Sequence, residues 1–442
     1  MSNKVETTAM KQNRQRELKP ALRFPEFREE PGWDARPFID LYAFGSTNIF
    51  SRDKLNYEKG AVRNIHYGDI HTRFRALFDI SREVVPFVNS TESLDKLTPD
   101  SFCTEGDIIF ADASEDLADV GKSIEIVALG GNRVLSGTHT ILAHRKGGHL
   151  IVGFGGYLFR SNRIRSQIRK EAQGAKVFGI SSGRLSSVKV CFPKNKAEQH
   201  KIANCLTSLD DLIAAHSHKL DALKAHKKGL MQQLFPREGE TLPRLRFPEF
   251  HDAPDWEETK AGTLFMNRIE EGESGLPIYS VTMNDGMVKR ASLDRSFDDI
   301  AEPSGNKKAY KNDIAYNMMR MWQGAFGVAV EDCMVSPAYV VLAPQDAVYA
   351  DFFGYLFKLP RCLRLLSSHS QGLTLDRLRL YYKDFSRIPL PHPPLPEQLK
   401  IADCLSSLDE LITAQVQKLD ALKVHKKGLM QQLFPSIEEA DA

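Results

Sequence analysis

Cysteine is scarce in this chain. The six residues, Cys103, Cys191, Cys205, Cys333, Cys362 and Cys404, form no C-x-x-C pair. That scatter argues against a structural zinc site or a disulfide framework and fits a reducing compartment. No apolar run approaches the roughly 20 residues that a membrane helix needs. The first 19 residues are polar and carry no apolar segment of a signal peptide, so a cytoplasmic protein is expected. Charge of one sign is not in excess: 59 Lys+Arg face 57 Asp+Glu, a net of +2. This excludes a binder that works by bulk charge, but not one with a local basic surface. Catalytic signatures are missing too. There is no G-x-x-x-x-G-K-[ST], no H-E-x-x-H and no G-x-S-x-G. Gly153-Phe-Gly-Gly156 lacks a dinucleotide fingerprint around it and reads as a loop or a close packing point. Asp100, Glu105 and Asp107 lack the lysine that nuclease carboxylates would need and read as turn chemistry.

What is present is ordinary globular composition over 442 residues, 42% hydrophobic and 26% charged, enough for two to four domains. The chain is also written twice. Residues 197–236 read AEQHKIANCLTSLDDLIAAHSHKLDALKAHKKGLMQQLFP, and residues 396–435 read PEQLKIADCLSSLDELITAQVQKLDALKVHKKGLMQQLFP, about 30 of 40 positions being identical. A second repeat opens each half: Leu-Arg-Phe-Pro-Glu-Phe ending at Phe27 and followed by Trp33, and the same six residues ending at Phe250 and followed by Trp256. Between these markers the halves diverge, leaving two weak echoes. Gly106-Asp-Ile-Ile-Phe110 parallels Asn312-Asp-Ile-Ala-Tyr316, and the segment from Ser136 to Leu142 parallels that from Ser336 to Leu342. A spacing of about 200 residues is too long for a solenoid repeat. The duplicated unit is therefore a variable region followed by a near-constant one.

The near-constant segments carry heptads. The expected seam is Ile202, Leu206, Leu209, Ile213, Leu220, Leu223, Leu230 and Leu234, repeated as Ile401, Leu405, Leu408, Ile412, Leu419, Leu422, Leu429 and Leu433. Leu212 and Leu411, with Cys205 and Cys404, are expected to widen the apolar face. Asn195 fits an N-cap, Pro396 a first turn, and Pro236 and Pro435 the stops. Each helix should run about 38 residues, or about 57 Å at 1.5 Å per residue. Neither can bury its stripe alone, and the simplest solution packs one on the other. His216, Gln415, Lys227 and Lys426 are polar seam positions, which either fix register or reach solvent past a neighbour. Gly229 and Gly428 suggest close approach or a local break.

The variable regions mix strand-like runs (residues 107–110, 124–129 and 338–342) with helical ones (157–173 and 352–367). The fold class is thus α+β: two globular domains, each followed by a long helix. The expected organisation is a disordered tail (1–19), a first variable domain (20–194), a first helical region (195–236), a second variable domain (237–394), a second helical region (395–435) and a short tail (436–442). Basic and aromatic residues cluster in both variable domains. Arg and Lys neutralise phosphates, while Arg, Asn and Gln read base edges. Position and chemistry single out Thr138, His139, Arg145, Lys146, Arg160 and Arg163 in the first domain. In the second they single out Asn317, Arg320, Trp322, Gln323 and Tyr339. Taken singly, such charges usually belong to a solvated face, and Trp322 and Tyr339 could equally pack a core; the two clusters together favour nucleic acid.

The repeated E-Q-x-K-I-A-x-C-L-x-S-L-D-x-L-I, ending in K-K-G-L-M-Q-Q-L-F-P, resembles the conserved helical regions of type I restriction–modification specificity subunits. The layout is similar over nearly the whole chain. The resemblance implies two target recognition domains, each reading one half of a split, asymmetric double-stranded DNA target. It implies an antiparallel coiled coil between the paired helices, in an internal pseudo-two-fold repeat. It implies docking of two modification subunits carrying S-adenosylmethionine, and through them two motor-nuclease subunits using ATP and Mg. The chain itself would be non-catalytic, with no metal or cofactor of its own, in a bacterial or archaeal cytoplasm. The competing expectation is a coiled-coil adaptor that does not read DNA.

Overall fold

The computed structural model describes residues 18–95, 97–293, 305–374 and 377–435. The expected disordered tail falls outside these residues except for its last two positions, and the tail after Pro435 falls wholly outside. Two compact units form. One comprises the described residues up to Ala215 together with those from Lys418 to Pro435; the other comprises the described residues of His216–Gln417. Each unit holds one variable domain and two antiparallel helix segments, one from each repeat.

Both long helices have the expected length: Lys196–Gln233 and Leu395–Gln432, 38 residues each. Asn195 caps the first, its Oδ1 accepting from Ala197 N at 2.9 Å. All sixteen seam residues are buried or half-buried. In the first unit Ile202 and Leu206 meet Leu429 and Leu433. In the second, Leu230 and Leu234 meet Ile401 and Leu405. Higher numbers on one segment meet lower numbers on the other, which is the antiparallel sense.

Two expectations about these helices are corrected. Leu212 and Leu411 do not widen the buried face; they are 42% and 55% exposed. Gly229 and Gly428 mark neither close approach nor a break. The helix runs through both, and a Cβ built on either meets nothing within 4 Å. Open space around a helical glycine makes alanine the better residue. Gly229→Ala and Gly428→Ala should each stabilise by about 0.5–1 kcal/mol, measurable in chemical denaturation.

The polar seam positions find partners rather than solvent. In the first unit Lys426 Nζ meets Asp210 Oδ1 at 2.5 Å, and Tyr157 OH donates to Asp210 Oδ2 at 2.9 Å. In the second, Lys227 Nζ meets Asp409 Oδ1 at 2.5 Å, and Tyr355 OH donates to Asp409 Oδ2 at 2.8 Å. Each node ties a variable domain, its own helix and the opposite segment. Gln415 Nε2 donates to the carbonyl of His216 at 2.7 Å.

In the first variable domain a five-stranded sheet runs Tyr42–Phe44, Thr140–Arg145, Ile108–Ala111, Ser123–Ala128, Leu77–Asp79 in spatial order. A four-stranded sheet runs Val134–Ser136, Arg63–Ile65, Phe87–Val88, Leu55–Asn56. The second domain keeps the plan. One sheet runs Phe265–Arg268, Tyr339–Pro344, Ile314–Asn317, Phe326–Val328, and the other Met287–Lys289, Ile278–Val281, Cys333–Val335, Lys307–Ala309. The weak sequence echoes are thus the same two strands in each domain. Their entry turn also matches: Gly106 has φ +95° and Asn312 φ +73°, and asparagine is among the few side chains that tolerate this region. The carboxylates that follow are both buried. Asp107 accepts from Thr104 N at 2.7 Å, and Asp313 accepts from Arg268 Nε at 2.6 Å.

The helical runs are each broken in two: Gly155–Leu158 with Asn162–Glu171, and Ala350–Phe357 with Pro360–Ser368. Pro360 holds Leu359 extended at ψ 139°, and Ser161 is extended at ψ 151° as the cap of the next helix. In the glycine run, Gly153 N and Gly156 N donate to the buried Glu125 carboxylate at 3.0 and 2.7 Å. A Cβ on Gly156 would sit 2.6 Å from the Ala76 carbonyl, so this is a close packing point. Burial drives the Glu125 pKa up to about 7, against its two amide donors. The sign follows. The folded chain holds the Glu125 proton more tightly than the unfolded one, so this contribution is present below pH ~4.5 and is lost as pH rises toward 7. Denaturation between pH 5 and 8 should show the first unit weakening with pH, and Glu125→Gln should flatten that slope.

Candidate nucleic-acid interface

The Ser136-to-Leu142 echo forms a tight corner between a short strand and a long one. Ser136 Oγ and Thr140 Oγ1 lie 2.7 Å apart, and Asn48 Nδ2 donates to the Ser136 carbonyl at 2.8 Å. His139 stands at the apex with φ +56°, a strained backbone for a side chain with a Cβ. Its exposed ring meets Tyr67 edge-on at 5.3 Å and lies 3.5 Å from Asp112 Oδ1. Tyr67 also contacts His66 at 4.6 Å and His71 at 6.1 Å. Lys122 Nζ donates to the His71 carbonyl at 2.7 Å, and Arg52 Nη2 pairs with Asp69 at 2.9 Å. Burial, then the Arg52 charge, lowers the pKa of His66, favouring the neutral ring. Burial raises that of Asp112. Thr138 and His139 therefore sit on a rim of histidines, one tyrosine and nearby cations.

The other first-domain candidates are not on that rim. Arg145 and Lys146 follow at the far end of the strand Thr140–Arg145, about 20 Å away at ~3.3 Å per residue. Both are tied to backbone: Arg145 Nη1 donates to Leu150 O at 2.9 Å, and Lys146 Nζ to Ile39 O at 3.0 Å. Arg160 Nε donates to Ser123 O at 2.7 Å at the junction with the helices. Arg163 lies on the helix Asn162–Glu171, beside Cys191.

In the second domain the candidates come together. Asn317 ends one strand and pairs in register with Tyr339, which begins its neighbour. The loop between Asn317 and Phe326 carries Arg320 and Gln323 exposed and Trp322 half-exposed. Local bonds shape it: Asn317 Oδ1 accepts from Met319 N at 3.0 Å, and Trp322 Nε1 donates to Met319 O at 3.1 Å. Gly324, with φ +92°, closes the loop. Lys307 Nζ donates to the Tyr339 carbonyl at 2.6 Å, and burial lowers its pKa. Tyr339 is half-buried on the small second core, its hydroxyl 3.4 Å from Val281 N.

Sequence reasoning overlooked Tyr67, Arg52 and Lys307. His66-Tyr67 lies five residues before His71, and that clustering of ring side chains was the available signal. Among the described residues, no group of three or more His, Cys, Asp and Glu could hold a metal. No helix of the described residues is long and apolar enough to cross a membrane.

Residues 260–424 match the family profile of the type I restriction modification DNA specificity domain. The type I restriction enzyme MjaVIII specificity subunit of Methanocaldococcus jannaschii is 23% identical over 63% of this chain and 69% of its own length. The MjaX specificity subunit of that organism is 24% identical over 62% of this chain, the match spanning 65% of the relative. Among solved structures, the S subunit of a type I restriction-modification system from M. genitalium superposes with a TM-score of 0.56 and 17% identity, covering 95% of this chain and 99% of that one. A chain solved for complex assembly and conformational transition of the type I R-M system gives 0.52 and 15%, covering 92% and 98%. The profile falls on the second of the two sheet-rich domains and on most of the long helix that follows it. The chain thus resembles the specificity subunits of type I restriction–modification enzymes, in profile over residues 260–424 and in fold over nearly its whole length.

Proposed function

We propose that this chain selects the DNA target of a type I restriction–modification complex. Each variable domain reads one half of a split, asymmetric double-stranded sequence. Two modification subunits with S-adenosylmethionine dock on the repeated helices, and two motor-nuclease subunits with ATP and Mg join through them. The chain is non-catalytic and works in the cytoplasm of a bacterium or archaeon. The observation that carries this reading is the contrast within the repeat. The two sheet corners differ, His139 with Tyr67 against Asn317, Arg320 and Tyr339, while the helices expose the same residues twice. Leu212 and Leu411 are equivalent positions, both exposed, and suit two copies of one partner. Near-neutral net charge fits weak DNA binding by the chain alone.

The test pairs the chain with a matching modification subunit in a methylation-free host and maps N6-methyladenine by long-read sequencing. Two short specified stretches around an unspecified gap are expected. Copurification without any methylated motif would leave only the adaptor role. Methylation by the chain alone would overturn its non-catalytic assignment.

A further inference from the structure

The first unit contains an open pocket of about 440 Å³ between its variable domain and both helix segments. Arg160 from the domain, and Lys423, Lys426 and Lys427 from the second helix, face a single carboxylate, Asp210. That carboxylate is already engaged, by Lys426 on one oxygen and Tyr157 on the other. Arg160 is half-buried, and among the described residues its donors meet backbone carbonyls, Ser123 O at 2.7 Å and Phe74 O at 3.4 Å. Burial lowers its pKa to about 10. Among the described residues, Lys423 pairs with the exposed Asp420 alone, at 3.8 Å. Asp210, Asp119 and Glu83 offset part of the desolvation of Arg160 at a distance, and an anion entering the pocket would add a direct charged partner.

The second unit repeats the cation. Lys358 occupies the place of Arg160 in the repeat, three residues after Tyr355 as Arg160 is after Tyr157. Burial, then the charge of Lys227, lowers its pKa. Two chemically different cations at one repeated position point to a function for that charge.

We propose that the first unit's pocket binds a small phosphate-bearing organic anion of mononucleotide size. Its volume falls within the range of ordinary ligand sites and is too small for a duplex. Arg160, Lys423 and Lys427 would hold the phosphate, while Ile213 and Met430 supply an apolar wall for the organic part. A ligand there touches the variable domain and both helix segments at once, so it would brace the domain on the coil. The inference does not depend on the DNA-reading role.

The test is calorimetric titration of the full chain with AMP, ATP and inorganic pyrophosphate at low salt, alongside thermal melting. Saturable binding of a nucleotide with a raised Tm is expected. Lys427→Glu and Lys423→Glu alter exposed side chains, so the fold should survive, as circular dichroism would verify. Each should weaken binding at least tenfold. Absence of saturable binding at millimolar concentration would overturn the proposal, as would nucleotide binding indifferent to both substitutions. Pyrophosphate binding as tightly as AMP would overturn the organic component.

Discussion

Replacing Glu397 by alanine should cost the second unit about 3–5 kcal/mol, the usual penalty for removing one partner of a buried ion pair. Glu397 is 1% exposed. Its two oxygens accept from Arg246 Nε and Nη2 at 2.9 and 2.8 Å, and Oε1 also takes Trp256 Nε1 at 3.3 Å. Arg246 in turn donates to Ala253 O and Pro254 O, each at 2.8 Å, so it cannot leave without undoing that turn. Alanine strands a guanidinium and an indole N–H away from water. The first unit repeats the clamp: Arg23 meets Glu198 at 2.8 and 2.7 Å, with Trp33 Nε1 at 3.2 Å. Glu198→Ala should therefore weaken that unit alike. Guanidinium denaturation followed by indole fluorescence reads both. The double replacement Arg246→Leu with Glu397→Leu should recover much of the loss. If it does not, the penalty comes from packing rather than from an uncompensated charge.

This clamp explains what the repeated Leu-Arg-Phe-Pro-Glu-Phe opening with its tryptophan is for. The motif was visible in the sequence; its partner was not. Glu198 fits a capping-box position by spacing, but its carboxylate turns to Arg23, 175 residues away in the chain. The helices and their seam were readable because their periodicity is local and repeated. So were the three strands rich in β-branched residues. The short strands, such as Phe87–Val88 and Leu55–Asn56, were not, because two residues carry no period. The candidate site was legible in proportion to chain proximity. Asn317, Arg320, Trp322 and Gln323 stand together in both sequence and space. Arg145 and Lys146 follow His139 closely in the chain, yet an intervening strand carries them to the opposite end of the sheet. Tyr67 approaches His139 across 72 positions, and nothing in a single sequence announces that.

Under the proposed function, Arg320→Ala should lower methylation at the cognate site by roughly tenfold to a hundredfold, the worth of one side-chain contact to a base edge at about 1–3 kcal/mol. Arg320 is exposed on its loop and belongs to no ion pair among the described residues, so its removal should leave stability unchanged. The effect should be confined to one half of the target, with the other half still fully specified. His139→Ala should act on the opposite half. Methylome mapping of each variant separates these outcomes. Uniform loss at both halves would mean a phosphate contact or a folding defect. No loss would remove these residues from the reading surface.

The make-up of the first unit bears on how the chain is born. Its core needs residues from the second helix: Leu433 and Phe434 lie in the same cluster as Trp33 and Leu206, and Leu22 N bonds the Gln432 carbonyl at 2.9 Å. The second unit is one uninterrupted stretch, His216–Gln417. On the ribosome, the domain synthesised first must therefore wait with an open apolar face until Leu433 and Phe434 have been made. A premature stop after residue 417 would spare the later-made unit and leave the earlier one incomplete, a ready target for chaperones and proteases.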